Sequence, residues 1–213
     1  MLSAAERERA QRRHRERDRR RVVIRRAVLR RLLGGYLDLP ARDVPLEVGA
    51  NGKPICPAAP RLAFNCSSSN GVAVYAFASD CALGVDVEHR PDGTWEEFPV
   101  ARYLSGPERE RLRDLPGEIA IRNAARAWAA KEAVAKAVGV GLSLPIRELE
   151  LDGDSTSPRV TMAGGWLPHA SPDWSVRFVA DDDHRVAAIA CDSPIARVVE
   201  SEWTPAPDLA SAG

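Results

Sequence analysis

Lysine is nearly missing from this chain of 213 residues: Lys53, Lys131 and Lys136 stand against 27 arginines. A bias of that size reflects base composition. The lysines that survive it mark places where a compact point charge is wanted rather than a planar fork. Long hydrophobic runs are also missing. The longest, residues 72–78, falls far short of the roughly 18–20 apolar residues that span a bilayer. No apolar stretch of secretory type follows the N-terminus, so neither a membrane span nor an export signal is expected. Cysteine is sparse, and Cys56, Cys66, Cys81 and Cys191 lie far apart with no CxxC pair. That speaks against a structural zinc site and for a reducing cytoplasm. Aromatics make up only 6%, yet 45% of the chain is hydrophobic, which excludes a disordered chain, a collagen and a disulfide scaffold. The length allows one domain or two small ones, with a core that needs no covalent staple.

What is present is unevenly placed. The net charge is zero, but residues 1–31 carry thirteen arginines and four acidic residues, a balance of +9 that leaves −9 for the rest. A basic stripe of this kind is either a polyanion contact or a solvated helix face. Residues 6–33 contain neither Pro nor Gly and read as one helix, frayed up to about residue 20. Ile24, Val28 and Leu32 give its buried stripe, with Val23 and Ala27 beside it, and Gly34-Gly35 its stop.

Downstream, residues 61–66 read as a short strand and Ser67-Ser68-Ser69-Asn70-Gly71 as a polar turn. Residues 72–78 read as a strand buried on both faces. A turn at Ser79-Asp80 leads into residues 81–88, which together suggest a β-hairpin. Residues 95–104, 107–115 and 121–138 have helical composition, with Gly139 and Gly141 ending the last. Residues 147–152, 159–163, 174–180 and 185–192 read as antiparallel strands, with a turn at 181–184, and residues 204–213 as a disordered tail. The expected class is α+β, in two similar halves, residues 1–79 and 80–203, each an antiparallel sheet packed with a long helix.

The chemistry gathers in two segments. In Leu83-Gly84-Val85-Asp86-Val87-Glu88 the strand period puts Asp86 and Glu88 on one face. Two such carboxylates repel unless a proton or cation lies between them, and oxygen ligands of this type suit Mg²⁺ with substrate phosphate completing its shell. The plainer reading is a solvated edge strand with two surface acids. In Trp128-Ala129-Ala130-Lys131-Glu132-Ala133-Val134-Ala135-Lys136, Glu132 and Lys136 share a helix side in the favourable acid-before-base order, which is either an ordinary ion pair or part of a site. Read as a site, Glu132 is a third acid for the metal, and Lys131 and Lys136 neutralise a polyphosphate beside it.

Together these segments resemble the 4′-phosphopantetheinyl transferases, and the larger Sfp-type class that activates carrier proteins of secondary metabolism. The resemblance covers roughly residues 15–192. It rests on Gly84-Val85-Asp86-Val87-Glu88 and, about 40 residues on, Trp128-x-x-Lys131-Glu132-Ala133-x-x-Lys136-x-x-Gly139-x-Gly141-Leu142. A Gly52-Lys53-Pro54 turn and Phe64-Asn65-Cys66-Ser67 add to it.

The resemblance implies pseudo-two-fold halves with the active site in the cleft between them. It implies transfer of the phosphopantetheine arm of coenzyme A to a serine of an apo acyl or peptidyl carrier protein, releasing adenosine 3′,5′-bisphosphate. Asp86, Glu88 and Glu132 would hold Mg²⁺ (or Mn²⁺) on the pyrophosphate, with Lys131 and Lys136 screening the remaining charge. Glu108, ending Ser105-Gly106-Pro107-Glu108, would be the general base, although it is also a standard helix-capping acid. Catalysis is thus expected from Glu108 and Lys136. Arg21 would meet the 3′-phosphate, Lys53 and Pro54 would line the adenine side, and Ser67 and Ser68 would lie by the coenzyme. Ser68 stands where the family has a histidine, so coenzyme A binding should be weaker, or coenzyme A lacking the 3′-phosphate should be tolerated. The chain also begins about where the family's first strand would have ended. The resemblance suggests a cytoplasmic monomer without nucleic-acid or membrane partners. The alternative is a degenerate relative that binds coenzyme A or a carrier without catalysis; a nucleic-acid binder is disfavoured by the −9 of the remaining chain.

Overall fold

A computed structural model of the chain describes residues 2–90, 92–98, 101–152, 158–162 and 174–204. The basic segment forms two helices, α1 (Ala4–Gln11) and α2 (Glu16–Leu37), rather than one frayed helix. Ser3 and Glu6 close a capping box at the start of α1. Glu6 then reaches Arg30, at 2.8 Å, and Arg26, at 3.5 Å, which folds α1 back onto α2. α2 continues through Gly34 and Gly35 and ends at Asp38, in the left-handed conformation. Tertiary packing overrides the glycines' weak helix propensity there, since Leu29 and Leu33 are locked into a core with Val44, Cys56 and Phe64. The buried stripe is therefore rotated from the expected one: Ile24 is 51% exposed, while Arg30 is buried and donates to the carbonyls of Ala41 and Val44.

A small ladder pairs β1 (Glu47–Val48) with β2 (Pro54–Ile55). β3 (Leu62–Ser69) and β4 (Val72–Ser79) form an antiparallel hairpin turning on Asn70-Gly71. Both turn residues have positive φ, 44° and 88°, as a two-residue hairpin loop requires. Ser67, Ser68 and Ser69 are thus strand rather than turn, paired with Val74, Ala73 and Val72. β4 is not buried on both faces; of its residues only Ala76 is fully buried.

The hairpin expected across Ser79-Asp80 does not form. β5 (Leu83–His89) leaves the β3–β4 pair and opens a second, antiparallel sheet of five strands in the order β5-β9-β8-β7-β6. The other strands are β6 (Leu149–Asp152), β7 (Arg159–Met162), β8 (Ser175–Val179) and β9 (Arg185–Cys191). The expected helix at 95–104 is also corrected: among the described residues of that span the helical element is a 3₁₀ turn, Ala101–Tyr103, and Trp95, Phe98 and Leu104 tuck individually into the core. Two helices follow, α3 (Gly106–Arg113) and α4 (Gly117–Val138), the latter ending at Gly139 with φ 84°.

α4 lies against the large sheet through small residues, Ala130, Ala133, Val134 and Ala137 meeting Val186, Ala188 and Ala190 of β9. The tightest approach is at Gly84, where an added Cβ would lie 1.9 Å from the Ala133 carbonyl oxygen. That contact fixes the faces of β5. Gly84, Asp86 and Glu88 point toward α4, and Leu83 and Val85 pack with Ala76 and Val74 of the β3–β4 hairpin.

The architecture is α+β with antiparallel sheets. The two longest helices, α2 and α4, have 22 residues each among the described residues, and the sheets they accompany are unequal. Among the described residues no helix is long and apolar enough to cross a membrane. Of the expected disordered tail, residues 205–213 lie outside the described residues, as does residue 163 at the end of an expected strand.

Candidate active site

β5 is an edge strand by hydrogen bonding, yet its acids are not solvated, so the plain surface reading fails. Asp86 is 3% exposed. Its Oδ1 accepts from Ser67 Oγ at 2.8 Å and from Lys136 Nζ at 2.5 Å, and Lys136 also reaches Ser67 at 3.0 Å. Asn65 Oδ1 accepts from the Val85 N–H on the open edge of β5. The Phe64-Asn65-Cys66-Ser67 segment of β3 thus docks on β5 through two side chains.

The second acid, Glu88, accepts from Trp128 Nε1 at 2.9 Å. Burial and the neighbouring charge of Asp86 push its carboxyl up from 4.5 to about 7, with Glu132 adding to the repulsion. Burial also raises Asp86 and Glu132, against the pull of Lys136 on both. Three acids that feel one another therefore face one α4 cation. Among the described residues their oxygens do not all close to within 4.8 Å of one another. Asp86 Oδ2 is buried with no hydrogen-bond partner. An orphaned carboxylate oxygen inside an all-oxygen donor set fits a hard divalent cation.

Lys131, five residues before Lys136, takes other partners. It is 0% exposed, its ammonium paired with Glu108 at 2.7 Å and donating to the carbonyls of Tyr103 and Ile146. Burial lowers its basicity, against the pull of Glu108. The helix turns about 100° per residue, so positions five apart point in opposite senses from the axis and only one can face the acids. Glu108 is buried too and closes a capping box with Ser105 at the start of α3, so its capping reading is realised. Its Oε1 has no partner, and the residue lines a cavity of about 490 Å³ between α3, α4, β6 and β8. The Tyr103 ring stacks on Trp128 at 4.9 Å, so a chain of contacts runs from Glu88 through Trp128, Tyr103 and Lys131 to Glu108.

Lys53 is engaged within the chain. Its ammonium donates to the carbonyls of Lys136, at 3.0 Å, Leu83, at 3.2 Å, and Ala137, at 3.4 Å. Asn51 donates to the Gly139 carbonyl at 2.8 Å. The turn carrying Gly52 and Lys53 thus caps the C-terminus of α4, where unsatisfied carbonyls and the negative dipole end favour a cation; Pro54 follows, half-buried, as the first residue of β2. Arg21 lies exposed among Glu16, Arg17, Arg20 and Ile24 on the outer face of α2. The arginine that meets Ser68 is Arg25, at 2.5 Å. It was missed, although it lies one helical turn beyond Arg21. Also missed was Asp181, gripped by Arg90, by Arg122 at 3.2 Å and by Arg126 at 2.7 Å; nothing in the local sequence of its turn announces three partners.

Residues 82–190 match the profile of the 4′-phosphopantetheinyl transferase superfamily. The 4′-phosphopantetheinyl transferase HetI of Nostoc sp. is 34% identical over 193 residues, covering 89% of this chain and 78% of that protein. The chain belongs to the 4′-phosphopantetheinyl transferase superfamily. A 4′-phosphopantetheinyl transferase of Bacillus subtilis is 28% identical, with 89% of this chain and 82% of that protein covered. The human L-aminoadipate-semialdehyde dehydrogenase-phosphopantetheinyl transferase is 26% identical, with 79% of this chain matching 60% of its length. Among solved structures, a holo-(acyl-carrier-protein) synthase from Bacillus anthracis in complex with CoA matches 52% of this chain and 95% of its own, at 22% identity and a TM-score of 0.41. Members of the superfamily transfer phosphopantetheine from coenzyme A to carrier proteins.

Proposed function

We propose that this transferase-family chain moves the 4′-phosphopantetheine arm of coenzyme A onto a serine of an apo acyl or peptidyl carrier protein, in the manner of the Sfp-type, secondary-metabolism class. The observation that carries the reading is the meeting of Asp86 and Glu88 from β5 with Glu132 and Lys136 from α4, around a buried carboxylate oxygen that lacks a partner. Asp86, Glu88 and Glu132 would hold Mg²⁺, or Mn²⁺ in its place. Such an ion supplies charge stabilisation to a pyrophosphate during in-line displacement.

Lys136 supplies a cation beside the same phosphates. The serine oxygen attacks the phosphorus that bears the pantetheine arm, the bond to adenosine 3′,5′-bisphosphate breaks, and the serine proton goes to a general base. The resemblance gives that role to Glu108; its Oε1 lacks a partner, but the residue is buried and paired with Lys131 on the side of α4 turned from the acids, which weighs against it. Arg25, with Ser68, is a second basic contact for the coenzyme beside Arg21.

The test mixes the purified chain with coenzyme A, Mg²⁺ and a panel of apo-carriers and weighs the carriers. A gain of the phosphopantetheine mass is expected on at least one. The second reading, a binder without catalysis, draws on the capped and paired state of Glu108 and on Ser68. Coenzyme A binding with no mass gain on any carrier would select it.

A further inference from the structure

β5 and β9 run antiparallel with Leu83 opposite Cys191. The residue two before Leu83 therefore ends beside the last residue of β9. At that corner the thiols of Cys81 and Cys191 and the carboxylate of Asp192 offer three ligand atoms, all within 4.8 Å of one another. Two of them are already positioned: Asp192 Oδ1 accepts from the Ala82 N–H at 2.8 Å, and Cys191 Sγ lies 3.3 Å from Ser193 Oγ. Cys191 is buried, and Cys81 and Asp192 are half-buried. Thiolates at zinc sit about 2.3 Å from the ion, so the sulfur–sulfur edge of a tetrahedral site is roughly 3.8 Å. A cluster this compact reaches it by side-chain adjustment alone.

We propose that Cys81, Cys191 and Asp192 form a binding site for a thiophilic divalent cation of the zinc class, separate from the carboxylate site of Asp86, Glu88 and Glu132. The two donor sets differ in the way that sorts metals. Sulfur ligands select soft or borderline ions, and all-oxygen sets select Mg²⁺.

Beside the corner, Asp80 is paired with Arg61 at 2.7 Å. Burial, the adjacent Cys191 thiol and the charges of Asp192 and Asp80 hold the Cys81 thiol up at about 12. Lys53 is the cation that faces it from the other half, but that ammonium is engaged by three carbonyls. Binding exchanges the two thiol protons, released to solvent, for the charge of the ion. Three protein ligands leave a fourth position for water. Occupancy ties the start of β5, the strand that carries Asp86 and Glu88, to the end of β9.

The experiment titrates the full, reduced chain with Co²⁺ and follows the thiolate-to-cobalt charge-transfer absorption. The band should saturate at about one equivalent, with release of about two protons in weak buffer. Zn²⁺ should bleach it, and excess Mg²⁺ should not. Cys81→Ser and Cys191→Ser should abolish the band, whereas Cys56→Ser and Cys66→Ser should leave it. Asp192→Asn keeps both thiols and should weaken Co²⁺ binding by on the order of tenfold or more, a ligand being worth at least what an outer-shell partner is. A reduced chain without the band overturns the proposal. So does a band that survives loss of Cys81 and Cys191, or an affinity that Asp192→Asn leaves unchanged.

Discussion

The seam between β5 and α4 and the outer face of α2 are both charged, and they hold their charge in opposite ways. On α2, Arg17, Arg20 and Arg21 stand in water. At the seam Asp86 is buried and held by Ser67 and Lys136, and on the other side of α4 Glu108 and Lys131 are buried and held by each other and by nearby backbone. Charge in water is screened within about 8–10 Å and costs little to place. Charge out of water is expensive unless paired, and that expense makes its position specific. The seam can afford this because its steric frame is rigid: alanines and one glycine let a strand and a helix touch backbone to backbone.

Five perturbations sharpen or break that contrast. The largest effect is expected from Gly84→Ala, whose Cβ would meet the Ala133 carbonyl oxygen at 1.9 Å. Backbone cannot swing aside as a side chain can, so a loss of about 5 kcal/mol, or failure to fold, should appear in urea denaturation. A wild-type midpoint would mean that β5 and α4 are not in contact.

Next comes Lys131→Met, which strands Glu108 in the interior and should cost about 3–5 kcal/mol. Adding Glu108→Gln should recover part of that. If the single variant were neutral, the pair would not be buried.

Asp86→Ala and Glu132→Ala should keep the melting temperature within a few degrees but lower phosphopantetheinyl transfer at least about a hundredfold, since several kcal/mol of charge stabilisation depend on the ion they would hold. Turnover retained by either variant would remove that residue from the site.

Glu88 gives a subtler signal. Its carboxyl, raised from 4.5 to about 7, holds a proton more tightly folded than unfolded. Its contribution to stability is therefore full below about pH 4.5 and lost as the pH climbs to about 7. In chelator-treated protein, Glu88→Gln should flatten the decline in melting temperature over that window. An unaltered decline would show that Glu88 is neither held out of water nor crowded by Asp86. On α2, by contrast, Arg21→Ala should shift stability by less than about 0.5 kcal/mol, and a larger loss would mean that its side chain is not in water.

How much of this was legible in the residues alone varies by segment. Asp86 and Glu88 were readable as one face of a strand, because a period of two needs no partner to be seen. The end of α4 at Gly139 and the four later strands were equally readable. The two basic lysines of α4 were not separable: Lys131 and Lys136 are the same residue type in one motif, and only the direction each points makes one a core ion pair and the other the counter-ion of Asp86. Lys53 read as a ligand for a coenzyme because nothing in Gly52-Lys53-Pro54 reveals the distant carbonyls of Lys136 and Ala137 that its ammonium reaches. The hairpin across Ser79-Asp80 was misread for the same reason: β5 pairs with β9, which comes about a hundred residues later, and local turn residues carry no record of that competitor.

The sequence by itself determined the chemistry on offer: two acids on a strand face, an acid and a lysine four apart on a helix, and a glycine small enough to let them meet. It determined the family as well, because those motifs are dense in residue types that few other tasks require. Only the tertiary structure decided which of these groups lose their water and which partner each then finds. Burial and long-range pairing depend on how separate segments pack, and that packing also set Cys81 beside Cys191.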